Sequence, residues 1–357
     1  VASVRGALPG EARNTEHGEL HLIDEFLEPQ HHHGRTPIAG ALEVSTSRLA
    51  QLALDPSLES VDVRRALFLD TETTGLAGGT GTVPFLIGIA WFEDESLRIQ
   101  QLFLPELGRE APMLHWVRER VQQSSCVVTF NGKTFDWPLL RSRFVLNRVR
   151  APELPPHLDL LHCARRILKA RLRSVRLVEL ERKVLGMHRA DDVSGALIPQ
   201  LYFDYLDGGD VSPMAKVIEH NANDLIALAA LVSELVGHFD EVHGSDDPRD
   251  HLAYARVAER TGDRSRARSF ASAAANGGGE AACTVEACLL NARMARRAGE
   301  ADEEEHALLA ALAAADLDEL RAAVCLALAK FYEHRRKDPE QALRHAAGTQ
   351  LAEGDEA

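Results

Sequence analysis

The chain has 357 residues, 45% hydrophobic and 26% charged, with a formal net charge of −14. That length exceeds one typical core and implies two domains. No apolar run approaches the roughly 18 residues of a bilayer span, and the first residues lack a basic segment followed by an apolar core, so a soluble cytoplasmic chain with no membrane partner is expected.

The five cysteines, Cys126, Cys163, Cys283, Cys288 and Cys325, are odd in number and form no CxxC pair. Buried thiols in a reducing compartment are therefore expected, with neither a disulfide framework nor a zinc site.

Residues 1–62 read as an N-terminal arm containing HLIDEFL, a histidine run (His31, His32, His33) and a short helix from Ser47 to Leu54. Three consecutive side chains cannot converge on one ion from a regular element, so the histidines are expected in a loop. From Ala66 three short apolar runs follow, ALFLDTE, VPFLIGIAWF and LRIQQLFL, separated by glycine, proline and acidic turns. They predict an antiparallel meander. A helix near Ala111 to Gln122, a strand from Cys126 to Phe130, a helix from about Trp137 to Leu146, the strand HLDLL and a long helix near Met214 to Val236 complete the pattern. A meander followed by alternating strand and helix predicts an α/β domain with a mixed sheet over 63–240.

Beyond Asp247 the strand signal ends. Three segments repeat, with Ala255, Ala292 and Ala329 spaced 37 residues apart. Each is a helix, a turn with Asp or Gly, and a second Ala-rich helix, so 247–350 is expected to be an all-α domain resembling tetratricopeptide repeats.

Three segments carry chemistry. In Asp70-Thr71-Glu72 the two carboxylates lie at i and i+2 of a strand and share one face. In TFNGKTFDWPLL, Asn131 and Gly132 turn the chain off a strand and Asp136 opens the next helix. In HNANDLIAL, His220 and Asp224 are four apart on one helical face. Four carboxylates suit two hard divalent cations, Mg²⁺ or Mn²⁺, which clamp the attacking and leaving oxygens of a phosphodiester, and a nearby histidine can take a proton from water. Taken singly, Asp70 also reads as a strand-end cap and Asp136 as a helix N-cap. Asp224, among Leu225, Ile226 and Leu228, is harder to explain as structural because an unpaired buried charge is costly.

These residues resemble the DEDD set of 3′–5′ exonucleases with the ribonuclease H-like fold. More narrowly, FLDTETTGLAGGTGT, TFNGKTFDWPLL, HLDLLHCARR, LERKVLG and HNANDLIAL, followed by helical repeats, resemble the bacterial YprB-type ribonuclease H-like family. The resemblance implies a metal-dependent 3′–5′ exonuclease with Asp70, Glu72, Asp136 and Asp224 as metal ligands and His220 as general base. It also implies DNA as the favoured nucleic-acid partner, bound as a single strand or 3′ end, a setting in DNA repair, and a helicase as partner of the repeats. One departure concerns His220, which has three residues between it and Asp224 where that superfamily's histidine has four. A structure-selective endonuclease and a non-catalytic DNA-binding scaffold are the alternatives.

Substrate contact is expected from Thr71, Leu76, Asn131, Arg165, Arg166, Lys169 and Arg173. The last four belong to a segment, 141–183, with twelve basic and four acidic residues, suited to phosphate contacts that position a strand without reading it. The stretch GLAGGTGT lacks the Lys-Ser/Thr of a phosphate loop. It is either a close approach to nucleotide, with Leu76 wedged against a base, or a tight turn. His157, Asp159 and His162 read as structural, with Asp159 near the floor of the site. Phe135 and Trp137 read as core.

Overall fold

A seven-stranded mixed sheet organises the first part of the chain. The structure, a computed structural model, describes residues 8–75, 81–244 and 246–349. Leu76 lies outside the described residues.

Strands β1 (Glu11–Thr15) and β2 (Gly18–Leu27) form a hairpin, and β3 (His32–His33) with β4 (Thr36–Pro37) forms a separate small one. Helix α1 (Thr46–Ala53) precedes β5 (Ala66–Thr73), β6 (Pro84–Glu93) and β7 (Ser96–Phe103). These three pair antiparallel, as the apolar runs lead one to expect. Then come α2 (Ala111–Gln123), β8 (Cys126–Thr129), α3 (Asp136–Leu146), β9 (His157–Asp159), α4 (Leu160–Leu168), α5 (Leu177–Leu180), α6 (Ile198–Leu206) and the 29-residue α7 (Ser212–Asp240). Among the described residues the sheet order is β1-β2-β7-β6-β5-β8-β9, with β8 and β9 parallel to β5.

β5 and β6 read as near-continuous apolar runs because the sheet is covered on both faces. Adjacent strand residues point to opposite faces, which separates the layers. Gln101 reaches α7, donating to Ile218 O at 2.7 Å, whereas Gln100 accepts from Trp116 Nε1 of α2 at 2.9 Å. The core between these layers includes Leu67, Leu69, Ile87, Ile89, Leu114, Val117, Leu140 and Phe144. α7 has the length and apolar content of a membrane span, but 67% of that apolar window is buried, which makes it a core helix.

Two features refine the expectation. β2 pairs with β7 from His21↔Phe103 to Leu27↔Leu97, so residues 11–27 of the N-terminal arm or extension join the main sheet. Leu20, Leu22 and Ile23 are buried by this pairing. In the basic segment, four of the twelve basic side chains are held in ion pairs. Arg143 is buried against Glu110, Arg171 meets Asp250 at 2.7 Å, and Arg182 and Lys183 meet Glu179 at 3.0 and 3.2 Å. The backbone divides into one unit of residues 1–165 with 174–240 and a second of 166–173 with 241–357. Arg166, Lys169 and Arg173 therefore group with the second unit.

That second unit holds α8 (Pro248–Arg260), α9 (Arg264–Asn276), α10 (Ala281–Ala298), α11 (Ala301–Ala314), α12 (Asp318–Phe331) and α13 (Pro339–Ala347). Successive helices pack as pairs. Asp263 and Asp338 cap the second helix of the first and third pairs by accepting from the amides of Arg266 and Gln341, each satisfying one donor of a helix start. The repeat-related Ala255, Ala292 and Ala329 are all buried. All five cysteines are buried, and among the described residues none is in a disulfide.

Candidate metal centre

The end of β5 delivers the first two carboxylates. β8 pairs with β5 only at Ala66–Phe68, so by Asp70 the strand has lost that neighbour, and the ladder to β6 shifts register between Glu72 and Thr73. Asp70 and Glu72 thus stand at the carboxyl end of a parallel strand pair, the usual location of sites in α/β sheets. β8 ends at Thr129. Asn131 then takes a left-handed φ of 70°, a conformation asparagine tolerates better than most residues. Gly132 follows, where a Cβ would lie 2.5 Å from the Thr129 side chain. This turn aims Asp136, the first residue of α3 with Phe135 as its N-cap, back at β5. Thr71 donates its hydroxyl to Asp136 Oδ1 at 2.6 Å.

α7 supplies the rest. Asn221, fully buried, donates to Asp70 Oδ2 at 2.7 Å and accepts from Gln101 at 2.9 Å. One residue before it, His220 points Nε2 at Glu72 Oε1 (3.9 Å) and Asp224 Oδ2 (3.7 Å). Glu72, His220 and Asp224 can present three ligand atoms all within 4.8 Å of one another. His220 Nδ1 lies 2.7 Å from Asp192 Oδ1. A carboxylate only accepts, so Nδ1 donates to Asp192, with Arg189 Nη1 a further 3.3 Å neighbour of Nδ1, and Nε2 is the nitrogen turned toward the carboxylates.

Burial sets the electrostatics. It pushes Asp70 and Glu72 well above the usual carboxylate range, helped in Asp70 by the charges of Asp224 and Asp136 and in Glu72 first by Asp70. Burial lifts Asp136 to about 6 against the lowering bond from Thr71. Asp224 is also raised by burial, although Arg189 and His220 oppose the shift. Such a cluster of oxygen donors could hold hard divalent cations.

Several contributors were not foreseen from sequence. Arg189, with its side chain 4% exposed, donates through Nη2 to Asp224 Oδ1 at 2.5 Å. It also pairs with Glu181 at 2.8 Å and Asp192 at 3.4 Å. Asp192, Asn221, Gln101 and Gly88 were missed too. A glycine inside the run VPFLIGIAWF was the available signal, since glycine in a strand often marks close backbone approach.

The remaining expected residues are placed as follows. Thr71 is buried and bonded to Asp136. Asn131 is exposed, and its Oδ1 accepts from Thr134 Oγ1 at 2.8 Å. Arg165 is exposed on the first unit, and Lys169 and Arg173, with Arg166, lie on the second. Asp159 clasps the loop that carries Asp136, accepting from the amides of Asn131 (2.8 Å) and Lys133 (3.1 Å). His157 contacts Thr129 Oγ1 at 2.8 Å, and burial pushes its pKa down to about 4. His33, from the histidine run, is buried against Glu181 at 2.6 Å. Trp137 is core.

The sheet order, the carboxylates at the ends of β5 and β8, and α7 across one face define a ribonuclease H-like domain of nuclease type. In agreement, the sequence model of the RNase_H superfamily matches residues 67–236. The chain is 31% identical over 335 residues to the uncharacterized protein YprB of Bacillus subtilis (strain 168), an alignment covering 92% of this chain and 80% of that protein. The chain belongs to the YprB-type family of ribonuclease H-like proteins.

Proposed function

We propose that the chain is a metal-dependent 3′–5′ exonuclease that hydrolyses phosphodiester bonds, with DNA as favoured substrate and repair as its setting. The observation that carries the reading is that Glu72, His220 and Asp224 can present ligand atoms within 4.8 Å of one another, with Asp70 and Asp136 near enough to raise the neighbouring carboxyls and Nε2 of His220 turned toward Glu72 and Asp224. Cutting direction and the preference for DNA rest on the resemblance of this motif set to DEDD exonucleases.

The donor set fits Mg²⁺ or Mn²⁺. Its ligands are all carboxylate oxygens, and burial raises all four, most strongly Asp70 and Glu72, which also repel one another, so the cluster gains from bound positive charge. Asp70, Glu72, Asp136 and Asp224 would hold the ions. When bound, a pair of divalent cations supplies positive charge for the developing oxyanions and acidifies water. The protein's own residues do the rest. Asn221, Thr71 and Arg189 each fix one oxygen of Asp70, Asp136 and Asp224, leaving the partner oxygens for the ions. His220 Nε2 accepts the proton of the attacking water, and Asp192 stabilises the imidazolium that results.

The test is cleavage of end-labelled single- and double-stranded DNA and of RNA in Mg²⁺, Mn²⁺ and EDTA, with Asp136→Ala beside wild type. A metal-dependent ladder shortening from the 3′ end, absent in the variant, is expected. Cutting of a closed circular strand would make the protein an endonuclease, and binding without cleavage in either metal would make it a scaffold.

A further inference from the structure

We infer that Arg189 is a positioning residue for the metal centre: it reserves Asp224 Oδ1 so that this carboxylate can offer only Oδ2 to an ion. The inference rests on the metal-nuclease reading above and goes beyond the ligand set.

Arg189 could instead be a counter-charge that departs when cations arrive. The geometry argues against that. Its Nε donates to Glu181 Oε1 at 3.0 Å while Nη2 lies 2.8 Å from Glu181 Oε2, one hydrogen bond and one close ion-pair contact to the same carboxylate. Glu181 is itself 1% exposed and held from behind by His33 Nε2 at 2.6 Å. The guanidinium edge left over faces the site, with Nη2 on Asp224 Oδ1 and Nη1 3.5 Å from His220 O. Burial works against the charge, but Asp224 and Glu181 hold Arg189 protonated. A brace locked at its root by a buried carboxylate holds its other partner in one rotamer. The oxygen it leaves free is the one facing His220 Nε2, at 3.7 Å. Outer partners of metal ligands act in this way, and removing one typically costs about 10- to 100-fold in metal affinity or activity.

The sign of the effect separates this role from plain electrostatics. A cation beside four carboxylates repels metal, so a guanidinium acting only through charge would, once removed, let the site bind metal more tightly. A positioning guanidinium gives the opposite result. Mn²⁺ binding to the full chain without nucleic acid should be followed by electron paramagnetic resonance for wild type, Arg189→Ala, Arg189→Lys and Asp224→Asn. Because Arg189→Ala leaves the buried Glu181 with His33 alone and can fail to fold, Arg189→Met combined with Glu181→Gln removes both charges together. Arg189→Ala and the double variant are expected to bind Mn²⁺ about 10- to 100-fold more weakly, with Arg189→Lys between them and wild type, because an ammonium cannot fork. Unchanged or tighter Mn²⁺ binding by a folded double variant, with Asp224→Asn weakened, overturns the positioning role alone. Failure of wild type to bind Mn²⁺ more tightly than Asp224→Asn overturns the metal reading itself.

Discussion

Asn221 Nδ2 donates to Asp70 Oδ2 at 2.7 Å, and the bond exists because β6 has no side chain at Gly88. Gly88 pairs directly with Asp70 across the ladder. A Cβ there would lie 2.2 Å from Asn221 Oδ1. The helix comes down on the sheet over this glycine, which keeps His220 and Asp224 near Glu72.

Gly88→Ala should therefore damage the site without touching a carboxylate. The strand lies inside the sheet, paired on both sides, so the helix or the Asn221 side chain must give way. A destabilisation of about 1–3 kcal/mol is expected from overpacking, together with weakened Mn²⁺ binding as Asp70 loses its fixed rotamer. Urea denaturation and a Mn²⁺ titration check both, and wild-type affinity in the variant would separate Gly88 from the site.

The raised carboxyls give stability a pH dependence that metal should abolish. A carboxyl whose pKa is higher in the folded than in the unfolded chain binds its proton more tightly when folded. Asp136 stands at about 6, against an unfolded value of about 3.9. Its favourable contribution is thus complete below about pH 4 and lost as pH rises through about 6. In EDTA, Asp136→Asn should gain thermal stability relative to wild type between pH 4 and 6.5. Saturating Mn²⁺ should reverse the order at neutral pH, since ions stabilise only the ionised ligands. A melting difference flat across this range would contradict the burial of an ionisable Asp136.

Asp159 acts on the chemistry through the backbone. Its side chain, in a residue only 3% exposed, accepts from the amides of Asn131, Lys133 and Leu161 at 2.8, 3.1 and 3.1 Å. Asp159→Ala strips acceptors from the turn that aims Asp136. An orphaned buried donor costs about 1–3 kcal/mol, so lower stability is expected with lower turnover, while two Mn²⁺ ions still bind at saturation. Loss of a bound ion from a folded variant would instead make Asp159 a ligand.

How much of this was legible in the sequence follows from which forces are local. The runs ALFLDTE and VPFLIGIAWF announce strands because double burial leaves only apolar residues between turns, and strand alternation puts Asp70 beside Glu72 without further information. Helical spacing does the same for His220 and Asp224. The pairing of β2 with β7 was not legible, because nothing in HLIDEFL specifies a partner some 75 residues later. Arg189 and Asp192 sit in the polar stretch HRADD, which reads as a solvated loop until the chain returns 28 to 35 residues on with His220 and Asp224. Pairing within the basic segment is non-local in the same way: folding sets Arg143 against Glu110 and Arg171 against Asp250, while Arg165, Lys169 and Arg173 stay exposed.

His220 gives the sharpest division between ligand and base. Its spacing from Asp224 departs from the superfamily's histidine, yet one helical turn still brings Nε2 within 3.7 Å of Asp224 and 3.9 Å of Glu72. Those separations exceed the span of a hydrogen bond, so Nε2 is bonded directly to neither carboxylate. With Nδ1 turned to Asp192 at 2.7 Å, the ring is oriented to accept a proton at Nε2. His220→Ala should then lower kcat by about 10²- to 10⁴-fold and leave Mn²⁺ affinity within a few-fold of wild type. A metal ligand would give the reverse, with affinity falling and kcat recovering at high Mn²⁺. Asp192→Asn should reproduce part of the kcat loss, because an amide can offer its NH₂ to Nδ1 and favour the tautomer that places the proton on Nε2. Titrating both variants with Mn²⁺ under single-turnover conditions distinguishes the two roles, since saturating metal can restore a lost ligand but cannot supply a missing base.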